Sequence, residues 1–179
     1  MVWTTDQSYV TAAFGLARVR LAMGDRAAAT AALDSVPASS VHYTRAQIAA
    51  ITARIRGRAA GDLNPADVRE AGTRLEALGL DAERRERLEA EVLEAALATL
   101  RSGANGVSTA SRVSKTSRVS TANGGAGPAG QILGLQLTER QLRIGLERTY
   151  RALAHLTENA SDRIALVDRA NSVRPRTLL

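Results

Sequence analysis

Residues 10–37 read VTAAFGLARVRLAMGDRAAATAALDSVP. Val10, Ala13, Phe14, Ala17 and Leu21 recur at helical spacing and place one apolar face on a helix predicted over residues 7–23. Gly24 supplies a left-handed stop, and Asp25 is placed to cap a second helix over about 26–36 that ends at Pro37. The face of that helix is Ala28, Ala32, Leu33 and Val36. Two amphipathic helices joined by one short turn make a helical hairpin.

The rest of the chain extends the pattern. Ser39 or Ser40 is the expected cap of a third helix reaching about Arg56, with Ile48, Ile51 and Ile55 on one side, before Gly57 and Gly61 interrupt. Asn64-Pro65 is a helix start, since proline at the first helical position lacks only an N–H that would be unpaired anyway. Val68, Ala71, Leu75 and Leu78 form the buried stripe of this fourth helix, and Gly79 ends it. A fifth helix opens at Asp81 and runs to about Arg101, with a wide face of Leu88, Val92, Leu93, Ala96, Leu97 and Leu100. Residues 102–130 are Ser/Gly-rich, lack helical periodicity and read as a long disordered loop. Two more helices follow. One spans about 138–157, capped by Thr138 with Gln141 at the capping-box position, and is lined by Leu142, Leu146, Tyr150, Leu153 and Leu156. The other spans about 161–172, capped by Ser161, with Ile164, Val167 and Asn171 on one side.

The expected fold is therefore all-α, an antiparallel helical-hairpin array of about seven helices in a tetratricopeptide-like α-α superhelix. It divides into a five-helix array (1–101), the loop (102–130) and a C-terminal hairpin (131–179) that packs on the array as part of one structural domain. Composition agrees. Apolar residues make up 45% but aromatic ones only 3%, so the core is built mainly from Ala, Leu, Val and Ile. Leu16-Ala17, Gly24-Asp25, Ala29 and Leu33 keep tetratricopeptide spacing, although Ala13 occupies a position where a large aromatic is usual. Any alanine-rich hairpin would share much of this pattern.

The formal charge of +6 does not form a basic stripe. Residues 1–101 carry 13 Arg and 13 acids, so the excess divides between the 102–130 segment, through Arg112, Lys115 and Arg118, and the last two helices. A nucleic-acid partner is not expected on that distribution. Cys 0 excludes disulfides, thiol catalysis and cysteine-ligated zinc. No apolar run approaches the ~20 residues that span a bilayer, and the early Asp6 with no basic segment before it is unlike a secretory leader. The expected location is cytoplasmic, with no membrane partner.

No catalytic residue, cofactor site or metal-ligand set is expected. His42 and His155 lie in separate helices without sequence-adjacent partners. Glu83, Glu86, Glu89, Glu91 and Glu94 alternate with Arg84, Arg85 and Arg87, the pattern of a solvated helix face with i,i+4 pairs. The glycines at 124, 125 and 127 have no preceding strand and do not make a phosphate cradle. Arg112-x-Ser114 and Arg118-x-Ser120 set a cation two residues before a hydroxyl, which makes Ser114 and Ser120 candidate phosphosites. Arg143, Arg148, Arg151 and Arg174 are candidate contacts to an acidic protein partner; the alternative is that they pair with Glu147 and Asp168.

Several long segments extend the repeat spacing into a more specific likeness. Ala13-Phe14-Gly15-Leu16-Ala17-Arg18 following Tyr9, Gly24-Asp25-Arg26, Ala32-Leu33-Asp34-Ser35-Val36-Pro37, and Ser39-Ser40 with His42-Tyr43 resemble the C-terminal tetratricopeptide region of actinobacterial protein kinase G. So do Gly145-Leu146-Glu147-Arg148, Tyr150-Arg151-Ala152-Leu153, Leu166-Val167-Asp168-Arg169-Ala170-Asn171 and Val173-Arg174-Pro175. The likeness touches both ends of the chain and omits residues 102–130, an insertion relative to the family pattern. It implies a non-catalytic scaffold for dimerisation, kinase stabilisation or substrate recruitment, whose partner is a kinase domain, a substrate protein or a second copy of the chain. The family's metal module and kinase domain have no counterpart here: the chain has no His-Arg-Asp loop and no Asp-Phe-Gly, and its one lysine, Lys115, lies in the loop. A free-standing self-associating scaffold is the alternative from another class.

Overall fold

A computed structural model describes residues 10–110 and 130–175. Among them are seven α-helices: α1 (Val10–Ala22), α2 (Arg26–Asp34), α3 (Tyr43–Ile55), α4 (Pro65–Ala77), α5 (Ala82–Ala110), α6 (Glu139–Leu156) and α7 (Ala160–Val173). Each packs chiefly on the next in sequence, α1 on α2 through to α6 on α7, which is how a solenoid buries its core.

The opening hairpin follows its sequence closely. Gly24 has φ +78°, Gly24 N–H donates to the Leu21 carbonyl at 3.0 Å, and Asp25 N–H donates to that of Arg20 at 2.9 Å. This is a Schellman stop, in which a left-handed residue lets the last carbonyls of α1 find donors. Asp25 Oδ1 then accepts the Ala28 N–H at 3.0 Å and starts α2. Ala13, Ala17, Ala29, Ala32, Ala46 and Ala50 are all buried; Leu33 and Val36 are the bulkier buried members of this first core, and Phe14, Leu16 and Leu21 pack against it partly buried. Side chains of one methyl group let α1, α2 and α3 approach closely.

A second, larger core starts on the same helix. Ile51 and Ile55 leave α3 toward Val68 and Leu75 of α4, Leu88, Val92, Leu93 and Leu97 of α5, and Leu142, Leu146 and Tyr150 of α6. Helix α3 is thus a wall common to both cores.

Four local expectations are corrected. Helix α3 starts at Tyr43 without a side-chain cap, because Ser40 is used in the preceding turn: its N–H donates to the Pro37 carbonyl and its Oγ accepts the His42 N–H. Helix α5 does not stop near Arg101 but continues to Ala110, so residues 102–110 of the expected loop are helical, and 111–129 lie outside the described residues. Asn159, not Ser161, caps α7, its Oδ1 accepting from the N–H groups of Ser161 and Asp162. The inward face of α7 is Leu166, Ala170 and Val173, while Ile164 is 62% exposed. Ala170 is the small residue at the crossing with α6, and Ile164, six positions earlier, lies about 240° around the helix from it.

A two-stranded hairpin was not expected. β1 (Gln131–Ile132) pairs antiparallel with β2 (Leu135–Gln136) through a two-residue turn of Leu133 (φ 50°) and Gly134 (φ 71°). Positive φ at both turn residues is the type I′ geometry that suits strand twist. The hairpin is wedged between helices at two glycines. A Cβ on Gly72 of α4 would stand 2.8 Å from Ile132 Cγ1, and one on Gly145 of α6 would overlap Leu135 Cδ1 and stand 3.2 Å from Leu93 Cδ1. Replacing Gly145 with Ala is expected to lower stability by about 1–3 kcal/mol through overpacking. Gly15→Ala, in an open helical position, should instead raise it by up to about 1 kcal/mol. Urea unfolding of both variants at unchanged m-value checks the pair.

Candidate functional site

The helices are tied by guanidinium groups reaching across turns. Arg26, at the start of α2, donates to the carbonyls of Ala53 (2.6 Å), Arg56 (3.0 Å) and Gly57 (2.9 Å). It thereby satisfies the carbonyls at the end of α3, where Gly57 turns the chain with φ +67°. Arg74 of α4 forks onto Asp34 of α2, with Nη2 to Oδ2 at 2.9 Å, and reaches Gln47 Oε1 of buried α3 surface at 3.0 Å and Glu70 Oε1 at 2.8 Å. The bond to Asp34 is the chief cause that holds its guanidinium well above the ordinary arginine pKa.

The four arginines singled out in the sequence do not converge on one spot. Arg151 and Arg174 both approach Glu147 Oε1, at 3.1 and 3.8 Å, and Arg151 also donates to Asn171 Oδ1 at 3.1 Å. Arg143 lies along the same α6–α7 seam, donating to Glu139 at 2.9 Å and to the Val173 carbonyl at 3.3 Å. Arg148 points elsewhere, to Glu89 of α5 at 3.4 Å. Each has a carboxylate partner within the chain, and exposed pairs of this kind are worth roughly 0–1 kcal/mol. Ser114 and Ser120 lie outside the described residues. His42 and His155 are exposed in different parts of the fold, and no group of three or more metal-ligating side chains is found among the described residues.

Two open grooves emerge that the sequence did not reveal. One, of about 870 Å³, lies between α2 and the α3–α4 connection and is lined by Thr30, Asp34, Arg54, Arg58 and Asp67 among others. The other, of about 750 Å³, lies between α5 and α7 over the end of α6. At its base the Tyr150 hydroxyl donates to Glu94, Arg169 meets the same carboxylate at 2.5 Å, and the Arg169 guanidinium sits 5.2 Å above the Tyr150 ring. Burial, then the Glu94 bond, push the Tyr150 hydroxyl well above the ordinary tyrosine pKa, so it stays a donor. The one signal in the sequence was the spacing of Glu83, Arg87, Glu91 and Glu94. It puts them on a single stripe of α5, but nothing local shows that a second helix faces that stripe.

A chain of antiparallel helices, each packed on the next and closed by small residues at the crossings, is an α-solenoid of helical hairpins. The protein kinase G tetratricopeptide-repeat family model matches residues 1–177. The chain belongs to that family. It is 36% identical over 174 residues to the serine/threonine-protein kinase PknG of Mycolicibacterium smegmatis, covering 97% of this chain and 20% of that protein. With the serine/threonine-protein kinase PknG of Mycobacterium leprae it is 33% identical over 178 residues, covering 99% of this chain and 20% of that one. The chain therefore spans about a fifth of the length of these relatives. Among the described residues no helix is long and apolar enough to cross a membrane.

Two substitutions test the local chemistry. Arg26→Ala should cost about 1–2 kcal/mol in urea unfolding because three carbonyls lose a charged donor, and Arg26→Lys should recover only part of it. Glu86, on α5, is held above the ordinary glutamate pKa, first by burial and then by the charge of Glu89. A raised folded-state pKa means that the folded chain binds this proton more tightly than the unfolded one. That contribution is complete below the unfolded-chain pKa and is lost as pH rises through the folded one. Glu86→Gln should accordingly raise the urea midpoint at about pH 7 and give no gain at about pH 3.5, where the carboxyl is already protonated.

Proposed function

We propose that this chain is a non-catalytic interaction and regulatory region working for a serine/threonine kinase of the protein kinase G type in the cytoplasm. Its partner would be the kinase domain, a substrate protein or a second copy of the chain. The observation that carries the reading is the extent of the family match: it covers residues 1–177, both ends of the array included. Serial helix packing supports it, since a solenoid presents extended surface for its mass and suits docking better than it suits enclosing a reacting centre.

Arg148 and Arg174 are the positions best suited to exchange an internal carboxylate for a partner's. Their side chains are 70% and 67% exposed, and their pairings, at 3.4 and 3.8 Å, are the loosest of the four. Such an exchange would cost little, because exposed ion pairs contribute roughly 0–1 kcal/mol.

Sedimentation of the chain with the kinase region of a PknG-like protein tests the proposal. A stable complex, or a raised unfolding temperature of that kinase region, is expected. Arg148→Glu/Arg174→Glu should weaken the association. Concentration-dependent self-association that ignores the kinase region would replace this reading with that of a free-standing scaffold.

A further inference from the structure

The groove between α5 and α7 combines two features, an apolar floor and an acidic rim in a chain of positive net charge. The floor is Leu153, Leu156 and Leu166, with the Tyr150 ring at one end and Ala90 and Ala165 on the walls. Leu156 is 42% exposed although it belongs to the apolar stripe of α6, and Leu166 is only partly buried. Helix α6 therefore carries its apolar stripe beyond the point where α5 and α7 cover it.

The rim is carboxylate. Glu83, Glu91 and Glu94 come from α5, and Glu158 and Asp162 from the α6–α7 turn and the first turn of α7. Against these five, the groove is lined by two cations, Arg87 and Arg169. Both are engaged locally: Arg87 with Glu83 at 2.6 Å, and Arg169 with Glu94 and the Tyr150 ring. Glu91 receives Arg56 from outside the groove. The lining is thus net acidic in a chain whose formal charge is +6. A surface of this sign and polarity favours an arginine- or lysine-bearing apolar segment and disfavours an acidic one.

We propose that this groove docks a basic amphipathic peptide segment of a protein partner. Apolar side chains of the segment would enter over Leu153, Leu156 and Leu166, and its cations would meet Glu158 and Asp162 and compete with Arg87 for Glu83. The mode is that of an amphipathic helix laid in a groove between two helices. The helical spacing of the lining supports it: positions 83, 87, 90, 91 and 94 form one stripe of α5, and positions 162, 165, 166 and 169 form one stripe of α7 across the groove. This rests on the interaction reading above and gives the partner's chemistry. It also differs from the acidic partner suggested by the arginines of the α6–α7 seam, because the apolar floor lies on the acidic side.

The test uses the 179-residue chain and a fluorescein-labelled 14-residue synthetic helix with Leu at i, i+3, i+4 and i+7 and Arg at its polar positions. Two controls are the same helix with Glu replacing Arg, and a basic peptide with the Leu positions scrambled. Fluorescence anisotropy should show the basic amphipathic peptide binding at least tenfold tighter than either control, with affinity falling as salt rises. Leu156→Asp should weaken binding at least tenfold. Glu83→Gln/Glu158→Gln/Asp162→Asn should weaken it and flatten the salt dependence, with circular dichroism confirming unchanged helicity for both variants. Equal binding of the scrambled basic peptide, or indifference to both variants, would overturn the proposal. So would self-association of the chain alone that Leu156→Asp abolishes, since the occupant would then be a second copy. Failure of the peptide to bind would leave the sedimentation result with the kinase region standing, so the two readings fail separately.

Discussion

Close approach of backbones at the helix crossings is the constraint on which the remaining structure depends. In the first core the crossing residues are Ala13, Ala17, Ala29, Ala46 and Ala50, none more than 3% exposed. With so little side-chain volume between them, α1, α2 and α3 gain stability from many weak dispersion contacts along their backbones and from only a few large groups. The same constraint reappears where chemistry differs. Gly72 and Gly145 take the place of alanine because the strand hairpin presses on α4 and α6 there, with Leu93 of α5 also close at Gly145. Small residues thus mark both the first core and the seats of the strand hairpin.

Such a seam leaves the helix ends exposed to the entropy of fraying, and the polar ties answer that weakness. Arg26 binds the carbonyls at the end of α3 from the start of α2, and Arg74 joins α2, α3 and α4 through Asp34, Gln47 and Glu70. A planar fork with several donors suits both tasks better than an ammonium would. This gives a structural reason for the arginine content of residues 1–101, where the formal charges cancel. Part of that arginine is used to fasten helix to helix.

What could be read from the chain, and what could not, follows the range of the interactions. Helical periodicity, the Gly24 stop, the Asn64-Pro65 start and the Thr138 cap depend on residues within a turn of one another, and each appears where expected. The family likeness was legible for the same reason, because it rests on contiguous stretches. Features set by a distant partner were not. Nothing near Ile164 says that Ala170 will meet α6, and nothing near Gln131 says that Gly72, almost sixty positions earlier, has left room for Ile132. Helix α5 was cut short because Ser and Gly after Arg101 are poor helix formers, yet a long preceding helix carries through them to Ala110. The α5–α7 groove belongs to the same class. Its two walls meet through Glu94 and Arg169, 75 positions apart, and their facing is a property of the stack.

The division of the interior into two cores that meet on α3 has a mechanical meaning. In a globular fold, pulling on any element disturbs one shared interior; here the described α1–α2 hairpin meets α3 through the smaller core of alanines with Leu33 and Val36, the ties of Arg26 and Arg74, and the Arg45 guanidinium 5.5 Å above the Phe14 ring. It contributes nothing to the buried side chains of the larger core. Loosening of the hairpin at that end would leave the buried side chains of the larger core covered, because Ile51 and Ile55 anchor α3 to it.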